Sequence, residues 1–155
     1  MSASATKARA TQAVFSHTHL DGESTIWDVP AGTESRTLVR DGDTFAVTLT
    51  RAPGGTGRDE LAIGPFKVSR EQLVGVSNEE AVAVGEHAVG VTPHGTWEFE
   101  GIVGATVDTP QSTPVYVEAD GDLTVTEGTN TRVGVVNYPG TYTKVAGTLP
   151  IKIGA

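Results

Sequence analysis

The chain contains no cysteine, which excludes disulfides, thiol nucleophiles and any cysteine-ligated metal or cluster. It has no apolar run approaching the ~18 residues that a membrane-spanning helix requires. The first residues, MSASATKARATQAVF, lack the apolar stretch of a secretory signal, so no signal peptide and no membrane partner are expected. Positive charge is scarce: 11 basic residues face 19 acidic ones, for a net charge of −8. The first twenty residues hold Lys7 and Arg9 and no acid, which leaves −10 on residues 21–155. A body of that charge repels a phosphate backbone, and no nucleic-acid partner is expected.

What remains is a chain of 155 residues, long enough for one domain with its own core. Residues 1–20 are rich in Ala, Ser and Thr, with little apolar content before Val14 and Phe15. A segment of that composition buries too little surface to offset its ordering entropy, so it reads as a flexible N-terminal arm. Residues 21–155 read as a single β-domain. Val and Thr dominate there between 19 glycines and 8 prolines that punctuate short runs.

Period-two alternation is explicit in several runs. Phe45, Val47 and Leu49 share one face of TFAVTLT, and Trp97 and Phe99 oppose Glu98 and Glu100. Val115 and Val117, then Leu123 and Val125, alternate with polar or amphipathic residues, and Leu149, Ile151 and Ile153 close the chain. One apolar face at period two marks half-buried antiparallel strands. Arg40-Asp41-Gly42-Asp43 and Asp120-Gly121-Asp122 supply turn chemistry between such runs, and residues 51–60 form a longer loop. The expected fold is all-β, a compact antiparallel barrel or sandwich; Ser69–Leu73 has room for only a turn or two of helix.

No motif meets the requirements of a catalytic or cofactor site. The run Ala52–Gly57 is glycine-rich, but no Gly-Lys-Ser/Thr follows to make a phosphate loop. His17, His19 and Asp21 have chelate spacing, yet only His87 and His94 are left to complete a zinc set. Asp41/Asp43 and Asp120/Asp122 do not continue into a calcium loop with a distal Glu, and they read as turns. Glu98 and Glu100 lie on one strand face beside Trp97 and Phe99. That pair suits either a glycosidase cleft, which needs a raised carboxyl pKa, or a solvated strand face; the latter is expected. Trp27, Trp97, Tyr116, Tyr138 and Tyr142 serve either a sugar-binding face or packing. No catalytic residue, cofactor or metal is expected.

From about residue 73 onward a set of features occurs in order. A Gly90-Val91 step leads into Gly95-Thr96-Trp97. Pro114–Val117 (PVYV), Gly121–Thr124 (GDLT) and Val133-Gly134-Val135 follow, before the closing alternation Leu149–Ile153. In these residues the C-terminal half resembles the small β-domain family of tailed-phage capsid decoration proteins; about 60 residues at the N-terminus go beyond the short family pattern. The resemblance implies a non-enzymatic structural protein on the outer surface of an icosahedral virion. It implies a homotrimer at threefold or quasi-threefold positions that binds the major capsid protein. An arm at residues 1–20 would then order on the capsid, with Lys7, Arg9 and Phe15 as contact candidates, because a basic arm avoids the repulsion an acidic body meets at an acidic surface. The alternative reading is a virion-surface glycan- or receptor-binding β module.

Overall fold

The computed structural model describes residues 3–14, 25–52, 60–63, 66–69 and 87–155, with the backbone alone described at 60–63 and 66–69. Twelve strands follow in chain order: β1 (Ser4–Ala13), β2 (Thr25–Asp28), β3 (Thr37–Asp41), β4 (Thr44–Thr48), β5 (Glu60–Ile63), β6 (Phe66–Ser69), β7 (Ala88–Thr92), β8 (Thr96–Phe99), β9 (Pro114–Val117), β10 (Leu123–Thr124), β11 (Thr131–Val136) and β12 (Leu149–Ile153). No helix occurs among the described residues. Ten strands form one antiparallel sheet in the order β10-β9-β11-β12-β8-β1-β3-β4-β7-β2, and β5-β6 is a separate hairpin. The large sheet is not closed into a barrel, and the architecture is sandwich-like. Of the segment Ser69–Leu73, expected to have room for a turn or two of helix, Ser69 ends β6 and residues 70–73 lie outside the described residues, as do residues 53–59 of the expected loop.

The expectation of a flexible arm at residues 1–20 is overturned for residues 4–13. They form β1, a ten-residue strand at the middle of the sheet. Its N-terminal part pairs β3 (Ser4 opposite Arg40, Arg9 opposite Thr37), and its C-terminal part pairs β8 (Ala10 opposite Phe99, Ala13 opposite Trp97). Both registers contain a shift, and the strand passes from one half-sheet to the other, as strands do at the corners of orthogonal sandwiches. The physical reason is steric as much as hydrophobic. Ala8 and Ala10 are buried in the larger apolar cluster while Lys7 and Arg9 stand outside, so small inward residues fill the place where the strand passes between the half-sheets.

Two apolar clusters result. The larger joins Ala8 and Ala10 of β1 and Trp97, Phe99, Ile102, Val115, Val117, Leu123, Val133, Val136, Leu149, Ile151 and Ile153 of the C-terminal half to Leu38, Phe45 and Val47 of β3 and β4. The smaller holds Ala3, Val29, Val39, Ala46, Ala52, Val89 and Val91, with Trp27 packed against it. Thus β3 and β4 are covered on both faces. The far face of β4 carries Thr48, fully buried, whose hydroxyl accepts from the Thr37 N–H at 3.0 Å and donates to the Glu34 carbonyl at 2.7 Å.

The turns are as expected. Gly42 (φ +61°) closes the β3–β4 hairpin, in which Asp41 pairs Thr44, and Gly121 (φ +96°) lies in the β9–β10 turn. The Gly121 carbonyl accepts from the Lys7 N–H at 3.1 Å, so this turn is also fastened to β1. Gly134 is required for a different reason. A Cβ there would overlap the Lys152 carbonyl oxygen of the neighbouring strand β12 and lie 3.2 Å from Ile153 Cα.

Candidate functional site

The residues that the sequence singles out fall into two carboxylate clusters, an aromatic pair and an open groove. The first cluster centres on Glu98. Strand alternation buries Trp97 and Phe99 and turns Glu98 outward, half-buried, with Glu100 exposed beyond it. Thr11 of β1 donates its hydroxyl to Glu98 Oε1 at 2.5 Å, and the Tyr142 hydroxyl donates to Oε2 at 2.6 Å. Burial raises the Glu98 pKa, but hydrogen bonds from Thr11, Tyr142 and Gln12 outweigh it, and the carboxyl ends below its ordinary value. Burial, the hydrogen bond to Glu98 and the Glu98 charge all push the Tyr142 phenol well above its usual value. A general acid at a glycosidic bond needs the opposite, a carboxyl held protonated, so Glu98 does not fit that role.

The Tyr142 loop between β11 and β12 is tied down along its length. The Asn137 side-chain amide donates to Thr96 Oγ1 at 2.9 Å, and the Tyr138 N–H donates to Gln111 Oε1 at 3.0 Å. The Tyr138 and Tyr142 rings stack at 6.2 Å between centroids, and the Lys144 ammonium sits 4.7 Å from the Tyr138 centroid. Trp97 and Tyr116 are buried in packing, and Trp27 lies against the smaller core, so of the five aromatics only Tyr138 and Tyr142 form a surface pair.

The second cluster is the β9–β10 turn. One carboxylate oxygen from each of Glu118, Asp120 and Asp122 lies within 4.8 Å of the others. The Lys7 ammonium stands 3.9 Å from Asp120 and 3.7 Å from Asp122. Asp120 accepts from the Asp122 N–H at 3.1 Å, and the Gly121 N–H donates to the Glu118 carbonyl at 2.9 Å. The carboxylates therefore serve the turn and a cation of the same chain, in keeping with the reading of Asp120-Gly121-Asp122 as a turn.

Of the contact candidates, Lys7 and Arg9 project from the exposed face of β1, and Arg9 Nε donates to the Ser35 carbonyl at 2.9 Å. Phe15 lies outside the described residues, as do His17, His19 and Asp21. A groove of about 680 Å³ opens where β1 leaves β3, lined by Gln12, Ala13, Ser35, Arg36, Thr48, Leu49 and Trp97. Arg36 adopts φ +62° there and donates a guanidinium N–H to the Thr11 carbonyl. Sequence reasoning pairs Glu98 with Glu100, its neighbour on the same face. Its actual partners, Thr11 and Tyr142, come from a strand read as an arm and from a distant loop. No family model matches the chain, and no curated protein and no solved structure matches it significantly.

Proposed function

We propose that this chain is a capsid decoration protein: a non-enzymatic β-domain that binds the outer surface of an icosahedral viral head and stabilises the shell. In this reading it acts as a homotrimer at threefold or quasi-threefold positions and contacts the major capsid protein. The observation that carries the reading is the placement of the segments in which the chain resembles that family. Gly90-Val91 lies on β7, Trp97 on β8, Pro114–Val117 is β9, Leu123 begins β10, Val133–Val135 lies in β11 and Leu149–Ile153 is β12. The likeness thus falls on successive sheet strands, five of them the continuous half-sheet β10-β9-β11-β12-β8, rather than on scattered loops. Three copies linked about one axis gain avidity from effective concentration without any one capsid contact being large.

Lys7 and Arg9 enter this reading differently from a flexible arm. Lys7 shares its charge with Asp120 and Asp122, whereas Arg9 makes no ion pair among the described residues and carries the outward positive charge of β1. Deleting residues 1–20 would remove the strand between β3 and β8, so Arg9→Ala is the variant that tests docking. The decisive experiment is co-sedimentation of the purified protein with mature, undecorated shells of its own virus. Saturable binding at one trimer per threefold-type position, weakened by Arg9→Ala and by salt, is the expected result. Absence of binding to expanded shells overturns the reading. It would turn attention to the virion-surface glycan-binding alternative, which the stacked Tyr138–Tyr142 pair favours and which predicts saturable binding of polysaccharide.

A further inference from the structure

Among the described residues, the exposed large hydrophobic side chains are Val103 (48% exposed), Val107 (47%) and Val145 (54%). All three stand on two neighbouring loops, the one after β8 and the one before β12. The Ile102 N–H donates to the Gly147 carbonyl at 2.9 Å, and the Gly147 N–H donates to the Ala105 carbonyl at 3.2 Å, so the loops are fastened to each other. Each is also braced internally. Val145 bridges Thr148, the Thr106 N–H donates to Thr109 Oγ1 at 2.8 Å, and the Asp108 N–H donates to Thr106 Oγ1 at 3.2 Å. Val103 is bridged to Thr124 at the outer edge strand β10, with its N–H on the Leu123 carbonyl at 2.8 Å. The valines are therefore held outward by an ordered backbone, and association at this face has little loop ordering to overcome.

The charge around them selects the partner. Residues 101–109 and 143–148 contain one acid, Asp108, and one base, Lys144, both exposed. In a chain of net charge −8 this is a locally balanced region. A second copy meets no net like-charge repulsion from these loops, and the contact brings valines together and can set Asp108 of one copy against Lys144 of the other.

We infer that the face formed by Val103, Val107 and Val145, flanked by Asp108 and Lys144, is the contact by which one copy of this chain binds another. The inference rests on the decoration reading only in its expectation that copies adjoin, and it names the surface.

The test is sedimentation velocity of the full chain alone, across a concentration series, with circular dichroism and melting to verify folding. Wild type is expected to self-associate. Val145→Asp and Val103→Asp each place a charge at the centre of the contact and should weaken self-association by about tenfold or more. Asp108→Lys should weaken it by a smaller factor, and adding Lys144→Asp in the same chain should restore it, a reciprocal rescue that a merely structural role would not produce. A wild type that stays monomeric at every concentration overturns the inference, as do folded Val145→Asp and Val103→Asp variants that associate like wild type. A charge reversal without rescue overturns the Asp108–Lys144 pairing. None of these readouts involves a capsid, so self-association through this face without shell binding would refute the decoration reading alone. Shell binding by a monomer would refute this inference alone.

Discussion

The two halves of the sheet share β1 but are built by different means. The C-terminal half, β8 to β12, places large side chains on its inner face: Trp97, Phe99, Leu149 and Ile151 are buried while Glu98 and Lys152 turn outward. The N-terminal half is covered on both faces of β3 and β4, and its second cluster is made of Val29, Val39, Ala46, Val89 and Val91. Large residues on one face make a thick core whose strands tolerate polar neighbours. The smaller cluster, on the face of β3 and β4 turned away from the larger one, is filled by Val and Ala and makes a thinner core. The loops differ in the same sense, since the C-terminal half carries the braced loops with the exposed valines and the Tyr142 strap.

Matched glycines break this comparison most sharply. Gly134→Ala in β11 forces a methyl group into the Lys152 carbonyl, so β11 and β12 cannot keep their pairing. A loss of more than about 4 kcal/mol, or no folded protein, is expected. Gly90→Ala in β7 meets nothing within 4 Å and needs no left-handed backbone. That variant is expected to be neutral or more stable by about 0.4–1 kcal/mol, because the unfolded chain loses freedom. Urea unfolding of both variants checks the pair. Equal losses at the two positions would show that the close approach of β11 and β12 is not what Gly134 serves.

Core truncations sharpen the difference in thickness. Phe99 is fully buried in the larger cluster, and Phe99→Ala should cost about 3–5 kcal/mol. Val91 is equally buried in the smaller cluster, but Val91→Ala removes less and leaves a smaller cavity, with an expected cost of about 1.5–3 kcal/mol. Denaturant midpoints at unchanged slope give both values. A Val91→Ala loss as large as that of Phe99→Ala would mean that the thin core, not the thick one, limits stability.

The same contrast explains what was legible in the sequence. Alternation appears where one face is wet and the other dry, so β8, β9, β12 and the inner face of β4 are readable from Trp97, Phe99, Val115, Ile151, Phe45 and Val47. It fades where both faces are dry: Tyr116, beside Val115 and Val117, is buried too. It fails where inward residues are too small to register as apolar. In β1 the inward set includes Ala8 and Ala10, and the alternation Lys7-Ala8-Arg9-Ala10 carries the period of a strand with almost none of the hydrophobicity. The turns at Gly42 and Gly121 are legible because their chemistry is local. The Glu98 site is only half legible, because its hydrogen-bond donors Thr11 and Tyr142 lie 87 and 44 residues away. The exposed valines carry no sequence mark, since Val103 and Val145 differ from buried valines only in where the loops turn them.

The smallest expected effects separate the two carboxylate clusters, which meet β1 at Thr11 and at Lys7. Glu98 has a folded pKa below its unfolded one, so the stability it contributes is present above the unfolded value. That contribution is lost as pH falls through the folded value. Wild type should therefore lose stability relative to Glu98→Gln as the solution is acidified below about pH 5, with the two curves converging at the acid end. Tyr142→Phe removes one donor that holds the carboxylate ionised and should move that loss to higher pH. Lys7 is the contrasting case, with 61% of its side chain exposed among carboxylates that are themselves partly in water. Screening makes such a pair worth at most about 1 kcal/mol, and Lys7→Ala should lose less still in high salt. Thermal melts from pH 3 to pH 8, at low and high salt, distinguish the clusters. The Glu98 effect should follow pH and resist salt, while the Lys7 effect at neutral pH should fade with salt. If both faded with salt, Glu98 would be no more than another surface carboxylate, and the Tyr142 loop would owe its position to the Asn137–Thr96 and Tyr138–Gln111 hydrogen bonds alone.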